Sequence, residues 1–227
     1  NLNLFEIIKI ITHPSNINYN IRLINGWYKY QLNEYLNSII NENFDFDLEN
    51  VISDTYIIND TNSINELSYL MKLEKNKILK KNKDSILLKK YSFKEIMIIA
   101  SLIEKEALDE ADKYYVSSVI MNRLNKKMKL QIDATVIFAI TQGKFKLERE
   151  LTYKDLKINH PFNTYKIPAL PPDLISTVSK KTIEIVLENY KTDYLYYFYN
   201  KIRKKHIYSL NFKDHKLKLN EYRKKNK

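Results

Sequence analysis

The sequence predicts an α+β fold, a helical core with a small C-terminal β-hairpin or sheet. Three observations predict it. Residues 92–124 carry the strongest helix-periodic apolar pattern, His160 to Pro172 holds four of the five prolines, and two strand-like runs follow the helices instead of alternating with them. Proline suits neither a helix interior nor a central strand, so the middle stretch is irregular. Helices and strands that are segregated along the chain argue against a parallel α/β sheet.

Along the chain, Phe5, Ile8 and Ile11 suit a short helix stopped at His13-Pro14, because the residue before a proline avoids the helical region. Asn20-Ile21-Arg22-Leu23-Ile24 alternates as a strand does and runs into Gly26-Trp27, a turn signal. A helix follows from about Lys29 to Asn41, with Leu32, Tyr35, Leu36 and Ile39 on one face. Another runs from Ser63 to about Lys83, with Ile64, Leu67, Leu70 and Met71 inward. Ser92-Phe93-Lys94-Glu95 is a capping box, in which hydroxyl and carboxylate satisfy reciprocal orphan amides. Phe93, Ile96, Met97, Ala100, Ile103 and Ala107 then recur at helical spacing. A polar break at Leu108-Asp109-Glu110 leads to a second helix bearing Tyr115, Val116, Val119, Ile120 and Leu124. Asp133 can cap a short third helix, and Thr152-Tyr153-Lys154-Asp155 is a further capping-box candidate. Beyond the prolines come a helix from about Lys180 to Asn189, strands near 194–199 and 205–210, and a charged helical tail from Lys213.

Composition excludes more than it assigns. The 227 residues can bury a real core, and 44% apolar content with 18 tyrosines marks a folded chain. Heavy use of Asn, Ile, Lys and Tyr beside two glycines follows AT-rich codon usage, so the net charge of +11 says little about a polyanionic partner. The absence of cysteine excludes disulfides and thiol chemistry. No run of 18 apolar residues exists, so no spanning helix is expected, and the start at Asn1-Leu2-Asn3 reads as a cut inside a longer protein. The histidines at 13, 160, 206 and 215 lack metal-ligand spacing, and no HExxH, phosphate loop or GxSxG occurs; no metal or cofactor is expected.

Carboxylate chemistry remains. In Ala100-Ser101-Leu102-Ile103-Glu104-Lys105-Glu106-Ala107, Glu104 falls inside the apolar stripe and Glu106 beside it. Burial raises a carboxyl pKa, as a general acid near neutrality requires; a salt-bridged helix end is the plainer alternative. Asn122-Arg123 and Gln131-Ile132-Asp133-Ala134-Thr135 form a second polar cluster, able to hold sugar hydroxyls or acetamides, with a helix cap the plainer role for Asp133. Asn163-Thr164-Tyr165, before Pro168-Ala169-Leu170-Pro171-Pro172, suits a cleft wall or a surface crossover.

These clusters, in this order, resemble the YceG-like endolytic murein transglycosylases. The matching pieces are Ala100 to Glu106, Val116-Ser117-Ser118-Val119 leading into Asn122-Arg123-Leu124, Leu130 to Val136, Phe162 to Tyr165, Leu170-Pro171-Pro172 and Lys191 to Phe198, with Arg22 to Trp27 and Ser53 to Tyr56 upstream. Ala169 stands where the family usually has Gly, and Val178-Ser179 where Pro-Gly is common. The resemblance implies residues 1–25 as the end of a LysM-like module, 26–90 as a mixed α/β lead-in and 91–227 as the catalytic domain. It places the catalytic glutamate on Glu106, with Glu104 the second choice. Asn122, Arg123, Gln131, Asp133, Thr135, Asn163, Thr164 and Tyr165 would bind substrate. Glu104, Gln131, Asp133, Asn163 and Tyr165 are expected to converge on one cleft with Glu106.

The activity so implied cleaves the β-1,4 bond between N-acetylmuramic acid and N-acetylglucosamine and leaves 1,6-anhydro ends. Partners would be peptidoglycan glycan strands and the synthesis machinery, with a single-pass anchor outside this chain holding it at the extracytoplasmic side of the cytoplasmic membrane; no nucleic acid is expected. A lysozyme-like hydrolase using Asp133 as a second carboxylate, and a non-catalytic basic nucleic-acid- or wall-binding module, are the competing readings.

Overall fold

Helix formation is firmest where the sequence is most periodic. In the computed structural model, which describes residues 3–5, 8, 19–39, 46–59 and 64–225, the elements run β1 (Tyr19–Arg22), α1 (Lys29–Ile39), a 3-10 turn (Leu48–Asn50), β2 (Ile52–Ser53), β3 (Thr55–Ile58), α2 (Ile64–Lys81), α3 (Ile86–Lys90) and α4 (Phe93–Glu106). They continue as α5 (Glu110–Asn125), α6 (Asp133–Thr141), a second 3-10 turn (Asp155–Lys157), β4 (Val178–Ser179), α7 (Lys180–Glu188), β5 (Tyr196–Asn200), β6 (Lys205–Ser209) and α8 (Phe212–Lys224).

The central element is α4. Its capping box is complete, with Ser92 Oγ accepting from the Glu95 amide at 3.2 Å and Glu95 Oε2 accepting from the Ser92 amide at 2.7 Å. Every residue from Ile96 to Ile103 is buried, so the helix is surrounded, with α5, α6, α7 and β4 packed on it. Asp109 caps α5 by accepting from the Asp112 amide at 2.8 Å, which makes the break between the helices a tight corner. That corner sets the C-terminal end of α4 beside the first turn of α5.

The strands form three small pairs. β1 and β3 are antiparallel with Ile21 opposite Tyr56, β2 and β4 are parallel, and β5 and β6 form the expected hairpin with Tyr197 opposite Tyr208. The parallel pair is two residues long and closes a crossover carrying α2 to α6. α8 has no buried residue and rests on the hairpin through rings, Tyr196 against His215 and Phe198 against Tyr222.

Several expectations need adjustment. The strands β2 and β3 and the short α3 were not anticipated from the sequence. The helix stopping at His13-Pro14 lies outside the described residues except for Phe5 and Ile8. Asp133 is not a cap: it is the first residue of α6, the N-cap position belongs to Ile132, and no side chain caps there. The Thr152–Asp155 pair does bond reciprocally, yet it opens only one 3-10 turn.

Candidate active site

Two acids end α4, and their surroundings send them in opposite directions. Glu104 points into the junction between α4 and the N-terminus of α7. Its Oε1 accepts from the Ser179 amide (3.0 Å), Ser179 Oγ (2.7 Å) and Thr182 Oγ1 (2.5 Å), and its Oε2 from Lys113 Nζ (2.7 Å) and Asn25 Nδ2 (2.6 Å). Burial alone would push this carboxyl up, but the bonds from Lys113, Thr182 and Ser179 outweigh it and hold Glu104 below its usual range. The start of α7 adds a favourable helix dipole. Glu104 is therefore an ionised, fully engaged carboxylate that locks three helices together.

Glu106, one residue from the corner, has a single hydrogen-bond donor among the described residues, the Tyr197 hydroxyl at 2.7 Å from Oε2. Withdrawal from water pushes it up to about 7; Asp133 nearby adds to the rise, while the Tyr197 bond and Arg123 oppose it. Its place as the last residue of α4 acts in the same direction as burial, because the negative end of a helix dipole disfavours a carboxylate. With Oε2 accepting from the phenol, Oε1 has no hydrogen-bond partner among the described residues.

Around Glu106 lies a cleft of about 690 Å³, walled by Arg123, Gln131, Asp133 and Tyr165 on one side and by the hairpin residues Tyr196, Tyr197 and His206 on the other. Arg123 organises the floor. Its Nε donates to Leu195 O (2.6 Å) and its Nη1 to Leu130 O (2.7 Å), and the guanidinium sits 5.0 Å from the Tyr196 ring centroid. The cation thus ties the end of α5 to both walls, and burial draws its pKa down. Gln131 holds a left-handed backbone (φ 55°), a strained conformation for a non-glycine residue, and places its exposed side chain at the cleft. Tyr165 donates its hydroxyl to Asp133 Oδ1 at 2.5 Å, so one oxygen of that second carboxylate is already engaged. Burial, then the bond to Asp133 and its charge, push the Tyr165 phenol up and keep it a donor.

Of the residues singled out in the sequence, Glu106, Arg123, Gln131, Asp133 and Tyr165 share the cleft. Glu104 and Asn163 do not line it. Asn163 is fully buried and donates to Leu156 O and Ile158 O, while its Oδ1 accepts from the Tyr165 amide. Thr164 and Thr135, also fully buried, bond to each other at 2.9 Å, and Thr164 Oγ1 accepts from the Ile132 amide. Asn122 donates to Thr192 O and Tyr194 O, holding the approach to β5. These four shape the cleft from behind, since their polar groups are bound within the chain. Missed altogether were Tyr197, His206 and Asp112. Asp112 accepts from His206 Nδ1 (2.7 Å), Tyr208 Oη (2.6 Å) and the Leu108 amide (3.0 Å). A tyrosine and a histidine on the covered face of an aromatic-rich hairpin were the one available signal.

The arrangement presents a carboxyl whose neutral form burial favours, a fixed cation and a second carboxylate around a space the size of a short oligosaccharide segment. Removing the Tyr197 hydroxyl tests the acid directly. Because that bond lowers the Glu106 pKa, Tyr197→Phe should move the descending limb of the kcat/KM pH profile to higher pH. A limb that stays put, or moves down, would separate Glu106 from the titration that governs the rate.

Comparison with known proteins gives a consistent picture. A profile of the YceG-like family matches residues 1–221. The endolytic murein transglycosylase of Bacillus subtilis is 37% identical over 194 residues, which cover 78% of this chain and 53% of that protein. That of Streptococcus pneumoniae is 33% identical over 130 residues, covering 56% of this chain and 23% of that protein. The crystal structure of a yceG-like protein from Listeria monocytogenes superposes with a TM-score of 0.71 at 26% identity, over 95% of this chain and 81% of that one. The chain spans about half the length of the Bacillus protein and about a quarter of the pneumococcal one.

Proposed function

This chain belongs to the YceG-like family, and from that membership and the cleft around Glu106 we propose an endolytic lytic transglycosylase of peptidoglycan. The observation that carries the reading is Glu106 itself, a carboxyl pushed up to about 7 by burial at the base of an aromatic-walled cleft. Protonated Glu106 donates from Oε1 to the oxygen bridging N-acetylmuramic acid C1 and N-acetylglucosamine C4, and the C1–O bond breaks. The resulting carboxylate, favoured by Arg123, accepts the proton of the muramic C6 hydroxyl as that oxygen attacks its own C1. A 1,6-anhydro end forms, and Glu106 is protonated again. An attacking group already attached to the reacting sugar needs no second carboxylate to activate water, unlike the paired acids of most glycosidases.

In this reading Gln131, Asp133, Tyr165 and Arg123 hold the strand, and Asn122, Thr135, Asn163 and Thr164 set the shape of the site. Residues 91–227 are the catalytic domain, 26–90 its lead-in, and 1–25 the end of a LysM-like module. Among the described residues no helix is long and apolar enough to cross a membrane. The proposed anchor lies outside this chain, and the enzyme works on the extracytoplasmic side, alongside the synthesis machinery, limiting the length of new strands.

Product mass tests the reaction. Uncrosslinked glycan strands should yield internal fragments with 1,6-anhydro-muramic ends, each lighter by one water than a hydrolytic end. Asp133 shares the cleft and is the one residue that favours a second reading, a hydrolase in which it orients water. Reducing ends as the main product, lost on Asp133→Asn, would establish that reading and overturn the transglycosylase.

A further inference from the structure

Asp112 and His206 form a buried pair beside Glu106 that the proposed reaction leaves without a role. Asp112 sits in the first turn of α5, with both oxygens engaged: Oδ2 by the Leu108 amide (3.0 Å) and His206 Nδ1 (2.7 Å), and Oδ1 by the Tyr208 hydroxyl (2.6 Å). An amide N–H can only donate, so Oδ2 is an acceptor, and an imidazole nitrogen meeting that same oxygen must carry its hydrogen. In the neutral ring the lone pair then lies on Nε2.

That nitrogen has somewhere to point. His206 lines the Glu106 cleft although its side chain is only 6% exposed. Nε2 makes no hydrogen bond among the described residues, yet it is not among their sealed, unpaired polar atoms, as Ser117 Oγ and His215 Nδ1 are. The ring stands edge-on to Tyr197 with centroids 5.0 Å apart, and Tyr197 reaches Glu106 at 2.7 Å, so His206 is one aromatic ring away from the acid. A clamp for the hairpin would need only Nδ1 and the Tyr208 hydroxyl. The second nitrogen, on a ring that lines the cleft, is surplus to that task.

We propose that His206 contacts the substrate, its Nε2 accepting a hydrogen bond from an O–H or acetamido N–H of the sugars flanking the scissile bond, and that Asp112 is the positioning residue that fixes this tautomer. The inference rests on the glycan-cleaving reading above. It adds a recognising acceptor to a cleft whose other wall offers the donors of Arg123 and Gln131.

The test uses the full chain carrying Glu106→Gln, so that strands bind uncut, with 15N-labelled histidine and uncrosslinked glycan strands as the probe. NMR at neutral pH should show His206 as the Nδ1–H tautomer, and saturation with strands should move its Nε2 resonance. A second variant, His206→Asn in the same background, places an amide nitrogen near the Nδ1 position, keeping a donor to Asp112 while losing the acceptor. Its Kd for the strands should rise about tenfold, the loss of one good hydrogen bond, with the melting temperature nearly unchanged. An imidazolium or the opposite tautomer, an unmoved Nε2 resonance in the bound state, or a Kd within about twofold would each overturn the proposal. A Glu106→Gln chain that binds no strands would instead overturn the functional reading, and this inference with it. The NMR measurements on intact His206 decide the matter even if His206→Asn fails to fold.

Discussion

Glu106→Gln is expected to lose about 10³-fold or more in glycan-strand cleavage, since in the proposed reaction one group serves as both acid and base and each role is commonly worth 10²–10⁴-fold. Glutamine keeps the shape and an acceptor for Tyr197, so the loss should appear in turnover with strand binding retained. In the wild type, kcat/KM should fall as pH rises through about 7, where the acid ionises. The same residue predicts a stability change of definite sign. Its folded pKa is about 7 against an ordinary 4.5, so its contribution is fully present below 4.5 and is lost as pH rises through 7. Glutamine never ionises, so Glu106→Gln should gain on the wild type across that window and level off above it, by roughly 3 kcal/mol. Denaturant melts at pH 5 and pH 8 check this, and an activity within about threefold of wild type would move the catalyst elsewhere.

The fold was legible where local and tertiary preferences agree. The Ser92–Glu95 box, the periodic run after it and the Asp109 corner all depend on neighbours within four residues, and each appears as expected. β3 shows why others were missed. Its burial alternates, Tyr56 and Ile58 in, Thr55 and Ile57 out, but Ile57 is apolar and 57% exposed, so no apolar–polar rhythm is written there. β2 and β4 are two residues each and exist only because distant segments meet. Asp133 misled for another reason: an Asp before an apolar run suits a cap, yet Tyr165, 32 residues on, takes its oxygen instead.

The two glutamates show the same divide. A helical wheel correctly puts Glu104 in the apolar stripe, but burial has no fixed consequence for a carboxyl until its partners are known. The five donors on Glu104 come from residues 25, 113, 179 and 182, none within eight positions along the chain. Glu106 finds one donor among the described residues, ninety-one positions away. Spacing marks both acids, and tertiary structure tells them apart.

Glu104→Gln should therefore damage stability rather than chemistry. The Glu104–Lys113 pair is buried, with side chains 1% and 14% exposed, and removing one charge strands the other. Such losses cost about 3–5 kcal/mol, which for a chain of this size lowers the melting temperature by roughly 10 °C. Glu104 has a depressed folded pKa, so its contribution is present above the ordinary value of 4.5 and is lost as pH falls through the folded one. The gap between variant and wild type should thus be widest near neutrality and should close in acid. Adding Lys113→Met removes the stranded ammonium, leaves glutamine to accept from Ser179 and Thr182, and should recover a good part of the loss. Cleavage per folded molecule, assayed well below the melting temperature, should stay within about tenfold of wild type, because Glu104 does not face the cleft. Full stability combined with lost activity would reverse the roles and make Glu104 the acid. Lost stability that the second substitution does not repair would mean that the amide and hydroxyl bonds to α7, and not the charge pair, hold the end of α4 in place.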